Sequence, residues 1–171
     1  GSGHIAASFL TKNTTVICDK LGAVQQLPIS LDEAWQFFST PLNLAKITPV
    51  EMNFRVTCDI PATIYAGTII TYRVNILPSI TATWVTEITH VNAPHYFVDE
   101  QRFGPYAFWH HKHFFREVPG GVEIEDLVHY ALPFGPLGRL VHPLVVRPKL
   151  TAIFASREKT LRERFGIVPL V

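Results

Sequence analysis

Apolar and polar residues alternate along most of the middle of the chain. In residues 108–115 the alternation places Trp109, His111 and His113 on one face of an extended strand, so two imidazoles lie among large apolar groups. Turn-forming Pro, Gly, Ser and Asn residues interrupt the alternation at short intervals. The pattern predicts six strands, at residues 54–58, 67–76, 81–90, 96–103, 106–117 and 122–132. Because the breaks are short, we expect the strands to form an antiparallel meander.

Ahead of the meander, the pattern predicts one strand over residues 14–28 and then two short helices. Ser30 and Glu33 have the spacing of a capping box, which places the start of the first helix after Ser30. Residues 41–47 predict the second helix. It ends before Pro49, because proline disfavours a helical conformation in the residue that precedes it.

Beyond residue 138 the apolar spacing becomes helical. One stripe of a predicted helix is formed by Leu150, Ile153, Phe154, Arg157 and Leu161. Pro143 and Pro148 each remove a backbone donor, so we expect a kinked or broken start to this segment. Pro148 fits the first turn of the principal helix, where the missing donor costs least.

The composition fits one domain at residues 14–171, preceded by a tail at residues 1–13 that begins with the cloning remnant Gly1-Ser2-Gly3. Hydrophobic residues make up 47% of the chain and charged residues only 17%, which favours a large apolar core with room for a cavity. No apolar run reaches the ~18 residues of a spanning helix, so we expect no integral membrane segment. The net charge of +1 predicts no nucleic-acid partner.

Cys18 and Cys58 are the only cysteines, too few to define a disulfide scaffold, and the chain shows no signal-peptide pattern. We therefore expect reduced thiols and a cytoplasmic protein. The serines lie in no GxSxG context and the glycines form neither GxGxxG nor a P-loop, which removes the usual hydrolase and nucleotide-binding signatures. No cofactor is expected, and the sequence is compatible with a homodimer.

The order of one strand, two short helices, an antiparallel meander and a long C-terminal helix is the helix-grip order, an α+β fold. The sequence resembles the START-like superfamily, also called SRPBCC, which includes pollen-allergen-like lipid binders and polyketide cyclases, and within it a bacterial group of stand-alone ligand-binding domains. The blocks that carry the resemblance are residues 97–101, 104–106, 109–114 and 130–138. The resemblance implies a curved sheet wrapped around the C-terminal helix, with a cavity between them.

Strand parity and the helical stripe give the side chains that we expect to face this cavity. Four of them are candidates for chemistry: Asp99, His111, His113 and Asp126. The side chains expected to contact a ligand are Tyr72, Trp84, Phe97, Gln101, Trp109, Tyr130, Phe154 and Arg157. Polar groups inside an apolar concavity are typical of a site that orients a small ligand.

The His-x-His pattern at His111 and His113 has three interpretations. The imidazoles could share a metal with Asp99 or Asp126, move a proton on a bound carbonyl compound, or form internal pairs with the carboxylates. Because the pattern lacks a distinctive third ligand, we expect no metal. Arg157 could grip a ligand carboxylate or phosphate, or extend its guanidinium to the rim while its stem packs.

The leading functional hypothesis is binding of a hydrophobic small molecule or lipid, with an aromatic or polyketide-like body and a polar end that contacts the Asp/His group. The alternative is a cyclase, dehydratase or isomerase that uses His111 or His113 with Asp99 or Asp126. A second alternative is a protein-interaction or stress-regulatory module. An exposed apolar patch at Leu140, Val141, Val145 and Val146 would favour that last hypothesis.

Overall fold

The computed structural model describes residues 18–77, 79–135, 138, 140 and 142–168. Seven strands are formed: β1 (Asp19–Leu27), β2 (Arg55–Val56), β3 (Ile69–Leu77), β4 (Ile80–Asn92), β5 (Tyr96–Phe103), β6 (Phe108–Val118) and β7 (Gly121–Ala131). The helices are α1 (Leu31–Phe38), α2 (Pro41–Ile47) and α3 (Arg147–Phe165). A short 3₁₀ turn at Val50–Met52 and a π-helical turn at His142–Val146 complete the described elements. None of these helices is both long enough and apolar enough to cross a membrane.

The strands form one antiparallel sheet in the order β1-β7-β6-β5-β4-β3-β2. Strands β2 to β7 follow one another as a meander, and β1 closes onto β7 at the far edge. The helix-grip arrangement expected from the sequence is therefore confirmed. Residues 14–17 of the predicted first strand lie outside the described residues.

The sheet buries alternate residues, as the sequence pattern predicts. In β6 the buried positions are Trp109, His111, His113 and Phe115, and in β7 they include Val122, Ile124, Asp126, Val128 and Tyr130. Successive side chains of a strand point to opposite faces, so one face meets the core and the other meets solvent. All four polar candidates consequently belong to the core-facing side of the sheet.

The second strand is shorter than the sequence suggests. Pairing with β3 ends at Val56, which lies opposite Tyr72. Beyond it, the Thr57 N–H still donates to the Thr71 carbonyl at 2.8 Å, but the Thr71 N–H donates to Cys58 Sγ at 3.2 Å, so a side chain takes the place of the return ladder bond. Regular pairing of the edge strand therefore ends after two residues.

The long C-terminal helix begins at Arg147, and Pro148 occupies its first turn as predicted. The residues from His142 to Val146 form the π-helical turn that precedes it, so Pro143 lies before the helix and Pro148 within its first turn. Leu150, Arg157 and Leu161 are buried along one stripe of α3. That stripe covers the concave face of the sheet.

Ser30 should contribute measurably to stability, because its hydroxyl accepts the Glu33 N–H at 3.2 Å while Glu33 Oε2 accepts the Ser30 N–H at 3.0 Å. Ser30→Ala should lower the free energy of unfolding by about 1 kcal/mol. The expected fall in Tm is about 2–4 °C for a chain of this size. Thr63→Ala is the control, because Thr63 is exposed, lies outside the helices and strands, and makes no side-chain hydrogen bond among the described residues. Equal losses of Tm in both variants would contradict the capping role of Ser30.

Candidate functional site

A cavity of about 510 Å³ lies between the concave face of the sheet and α3, with α2 at one side. Its wall is mainly apolar and aromatic. The aromatic side chains on it are Phe37, Phe38, Phe54, Tyr72, Trp84, Phe97, Tyr106, Trp109, Phe134 and Phe154. Polar side chains in the wall include Asp99, His111, His113 and Arg157, and they come from β5, β6 and α3. The cavity therefore combines a hydrophobic enclosure with one concentrated polar region.

Strand register brings the four polar candidates together. Asp99 on β5 lies directly opposite His111 on β6, and His113 on β6 lies directly opposite Asp126 on β7. Directly opposed residues of antiparallel strands have their Cβ atoms only about 5 Å apart on the same face. Two acids and two imidazoles from three adjacent strands must therefore meet on the concave side of the sheet.

The four side chains form a closed ring in which each imidazole contacts both carboxylates. His111 Nε2 is 2.9 Å from Asp126 Oδ1, and His113 Nε2 is 2.7 Å from Asp99 Oδ2. His113 Nδ1 also lies 2.9 Å from Asp126 Oδ1, but outside the direction needed for a hydrogen bond. The fourth side, from His111 Nδ1 to Asp99 Oδ2, is 3.5 Å long. Two sides of the ring are hydrogen bonds and two are close charge contacts.

The imidazole rings are held by stacking as well as by the carboxylates. The two rings lie against each other with centroids 3.7 Å apart and planes tilted by 37°. Phe97 stacks on the His113 ring, with centroids 4.1 Å apart. Both histidines are 6% exposed, so the carboxylates and neighbouring rings set their orientation.

Arg157 anchors this ring to α3. Its Nη1 lies 3.3 Å from Asp126 Oδ1, and the guanidinium lies over the rings of Phe38 and Phe154 at 5.3 and 6.0 Å. The residue is only 7% exposed, so the guanidinium does not reach the rim of the cavity. Its positive charge faces the Asp126 carboxylate.

Burial raises the pKa of a carboxyl group and lowers that of an imidazole, but charge pairing alters the balance here. The Arg157 guanidinium and the two imidazoles outweigh burial at Asp126 and hold its pKa well below the ordinary value. The imidazoles also lower the pKa of Asp99 despite its burial. Burial and the neighbouring His113 charge lower the pKa of His111. Contacts with Asp126 and Asp99 overcome burial and raise the pKa of His113.

These directions indicate that the carboxylates of Asp99 and Asp126 are ionised at neutral pH, where they face the Arg157 guanidinium and favour the protonated form of His113. His111 is the neutral member. Because its Nε2 lies at hydrogen-bond distance from Asp126, the proton belongs on Nε2 and the lone pair on Nδ1.

The expected ligand-contacting residues divide into two groups. Five of the aromatic candidates line the cavity together with Arg157: Tyr72, Trp84, Phe97, Trp109 and Phe154. Gln101 and Tyr130 are not among the described residues of the cavity wall. The Gln101 side chain donates to the Tyr106 carbonyl at 2.7 Å and accepts from its N–H at 3.2 Å, which fixes the loop between β5 and β6. The Tyr130 hydroxyl pairs with His142 Nε2 at 2.7 Å.

Asp126 also lies apart from the main cavity. It borders a much smaller space between β1, β7 and α3, together with Arg157, and it contacts the imidazoles from behind. Asp99, the two histidines and Arg157 form the polar cluster that faces the main cavity. Asp126 is thus positioned to orient the imidazoles.

Several polar wall residues were not among the sequence candidates, and two of them, Thr86 and Lys149, contact other wall residues. Thr86 is buried and its hydroxyl is 2.9 Å from the Tyr72 hydroxyl. It has the same parity as Trp84 on β4, so the alternation of that strand could have identified it. Lys149 also lines the cavity and donates to the Ile76 carbonyl. Burial lowers its pKa, and no sequence signal distinguished it from a solvent-facing lysine.

The apolar patch considered for partner binding is only partly formed by exposed residues. Leu140 and Val145 are exposed, whereas Val146 is half-buried and packs against the core. Val141 lies outside the described residues. The patch is therefore less continuous among the described residues than the sequence pattern suggests.

Replacing Arg157 should destabilise the protein, because Asp126 would stay buried without its cation. Arg157→Met should cost about 3–5 kcal/mol of unfolding free energy, the range for breaking a buried ion pair. Arg162→Met is a matched control on the same helix, since Arg162 forms an exposed pair with Glu158 worth at most about 1 kcal/mol.

The double variant Arg157→Met/Asp126→Asn should recover part of that loss, because no unpaired charge remains. Chemical denaturation of the wild type, Arg157→Met, Asp126→Asn and the double variant measures the coupling. Equal stabilities of Arg157→Met and Arg162→Met would show that the pair with Asp126 does not stabilise the fold.

No protein-family model matches the chain, and no curated protein matches it. Several solved structures match the chain. Norcoclaurine synthase from Thalictrum flavum, in complex with dopamine and hydroxybenzaldehyde, is 15% identical with a TM-score of 0.61, covering 95% of this chain and 98% of that one. Protein CV1439 from Chromobacterium violaceum is 11% identical with a TM-score of 0.67, covering 86% and 98%. The protein TTHA0849 from Thermus thermophilus is 16% identical with a TM-score of 0.65, covering 86% and 97%. The chain therefore shares the helix-grip fold of these solved structures, which is the fold that the sequence predicted.

Proposed function

We propose that this protein binds a small, largely apolar molecule in the cavity between the sheet and α3. The observation that carries the proposal is the cavity itself, about 510 Å³ with an aromatic wall and a single polar cluster. Ligand sites in proteins typically have about 300–1,000 Å³ of volume and a few polar groups in a mainly apolar lining. A volume of this size without a ligand would forfeit dispersion contacts on every side.

The wall favours a ligand with an aromatic or polyketide-like body. The rings of Tyr72 and Trp84 stack with centroids 5.9 Å apart, and Trp109 meets Trp84 edge-on at 5.3 Å. Such a surface offers ring faces and ring edges to a flat ligand. The solved norcoclaurine synthase carries dopamine and hydroxybenzaldehyde, which are aromatic molecules with polar substituents. A polar end of the ligand would meet Asp99 and His111.

Native mass spectrometry of freshly purified protein tests the proposal directly. The expected result is a population heavier than the chain by the mass of one small molecule, which organic extraction then releases for identification. Protein that carries no such mass and binds no apolar probe in solution would contradict it.

Filling the cavity should abolish binding without unfolding the protein. Ile153 lines the cavity from α3 and is half-buried, so Ile153→Trp places an indole in the ligand volume. Affinity for the fluorescent probe anilinonaphthalene sulfonate should fall by at least about tenfold, or 1.4 kcal/mol of binding free energy. Ala152→Trp makes the same substitution at the adjacent, exposed position and should leave the affinity unchanged. Equal affinities in the two variants would place the probe outside the cavity.

A second candidate function is acid/base catalysis on the bound molecule, as a cyclase, dehydratase or isomerase. It is favoured by one observation: His111 is a neutral imidazole in the cavity wall whose Nε2 pairs with the buried Asp126. A carboxylate on one ring nitrogen orients the imidazole and stabilises the cation that forms when the other nitrogen accepts a proton. His111 Nδ1 would be that base, removing a proton from a carbon next to a carbonyl group.

Deuterium exchange tests this candidate without knowledge of the natural substrate. An aromatic β-diketone incubated with the protein in D₂O should exchange its acidic carbon-bound protons faster than in buffer, as followed by NMR. His111→Ala should remove the acceleration, while His110→Ala, on the opposite face of β6, should keep it. Equal exchange with wild-type protein and His111→Ala would exclude His111 as the base.

A further inference from the structure

Three groups capable of binding a metal converge at the polar end of the cavity. One side-chain atom from each of Asp99, His111 and His113 lies within 4.8 Å of the other two. The nitrogens that approach Asp99 Oδ2 are His111 Nδ1, at 3.5 Å, and His113 Nε2, at 2.7 Å. Both histidines are buried, and all three residues line the cavity. The three atoms therefore form a small triangle that opens toward the apolar space.

We propose that Asp99, His111 and His113 bind a divalent transition metal ion such as Zn²⁺ or Fe²⁺, with its remaining coordination positions directed into the cavity. Two imidazoles and one carboxylate are a donor set suited to these ions, whereas Mg²⁺ and Ca²⁺ prefer oxygen ligands. Ligand atoms about 2 Å from a tetrahedral ion are about 3.3 Å apart, and the contacts to Asp99 lie on either side of that separation. Reaching that separation changes the two contacts to Asp99 Oδ2 by about 0.2 and 0.6 Å.

The outer groups have the arrangement that supports a metal site. The two nitrogens that point away from the triangle, His111 Nε2 and His113 Nδ1, each lie 2.9 Å from Asp126 Oδ1. Metal-bound histidines usually donate their second ring N–H to a carboxylate, which fixes the tautomer and the ring orientation. Asp126 accepts such a bond from His111 Nε2 and lies beside His113 Nδ1 without an aligned hydrogen bond. Arg157 Nη1 holds the Asp126 carboxylate from 3.3 Å.

The ring is incomplete as a purely hydrogen-bonded structure, which is a second observation in favour of the site. The contact between His111 Nδ1 and Asp99 Oδ2, at 3.5 Å, exceeds the length of about 2.7–2.9 Å expected for a charge-assisted hydrogen bond. His113 Nδ1 is buried without an aligned hydrogen-bond partner among the described residues. An ion bound to His113 Nε2 would fix the proton on His113 Nδ1, beside Asp126. The same ion would bridge His111 Nδ1 and Asp99 Oδ2, which form the longest side of the ring.

The sequence alone predicted no metal because the His-x-His pattern showed no third ligand. The pairing of Asp99 with His111 across β5 and β6 supplies that ligand from another strand. The two buried carboxylates of Asp99 and Asp126 bring two negative charges close to a dication, which offsets part of the cost of burying it. The proposal does not depend on the nature of the organic ligand.

Metal titration of the whole chain tests the site. Protein stripped with a chelator and then freed of it by dialysis is titrated with Co²⁺, whose visible absorption reports bound nitrogen and oxygen ligands, and Zn²⁺ is then used to displace it. We expect one equivalent to bind and one equivalent of Zn²⁺ to remain after dialysis, as measured by elemental analysis. His113→Ala and Asp99→Asn should each lose the stoichiometric ion and the Co²⁺ spectrum.

Matched variants separate this site from adventitious binding. His110→Ala removes a histidine on the opposite, partly exposed face of β6, which pairs with Glu100, and should keep one equivalent. Asp126→Asn should weaken metal binding by about 10–100-fold, the usual effect of losing an outer carboxylate. Asp99→Asn preserves side-chain size, so it decides the question if His113→Ala does not fold, as judged by circular dichroism.

The proposal is overturned if folded wild-type protein binds no stoichiometric ion, or if His113→Ala and Asp99→Asn bind as well as His110→Ala. Binding of anilinonaphthalene sulfonate is measured on the same samples. Probe binding without metal binding would reject the metal site and leave the proposed ligand cavity intact. Metal binding without probe binding would reject the cavity proposal alone.

Discussion

The pairing of Asp126 with two imidazoles and a guanidinium is the interaction on which the interior of this protein depends. Asp126 is 7% exposed and receives His111, His113 and Arg157 at 2.9, 2.9 and 3.3 Å. An isolated carboxylate at this depth would carry a large desolvation cost, and any one of its partners left alone would do the same. These charged and polar groups can be buried only as a set, so their contacts hold β6, β7 and α3 together.

This constraint couples the sheet to the C-terminal helix. His111 and His113 come from β6, Asp126 from β7 and Arg157 from the middle of α3. A helix rotated by one residue would remove the guanidinium from the carboxylate and present a different side chain to the core. Apolar burial of Leu150 and Leu161 holds α3 against the sheet, while the ion pair specifies which face of the helix is turned inward.

The same cluster also gives the cavity its chemical character. Because Asp126 contacts the imidazoles from behind, the polar cluster presented to the cavity consists of Asp99, His111, His113 and Arg157. Those groups lie at the end of an aromatic enclosure, where low polarity strengthens every electrostatic interaction. A ligand polar group or a metal ion would meet a surface whose orientation is fixed by packing before binding.

The local pattern of apolar and polar residues was sufficient to predict the main helices and strands and to place the four polar candidates on the core face. Alternation along β5, β6 and β7 placed Asp99, both histidines and Asp126 on the core face, because a strand has a period of two whatever its neighbours are. Distances and partners required the register of strands and the docking of α3, which depend on residues far apart in the chain. Only the tertiary structure decided that Arg157 pairs with Asp126 rather than with solvent, that Gln101 is occupied by the Tyr106 backbone, and that Tyr130 pairs with His142. The physical reason is that sequence periodicity gives the direction of a side chain, whereas its hydrogen bonds and charge partners are set by which elements pack against it.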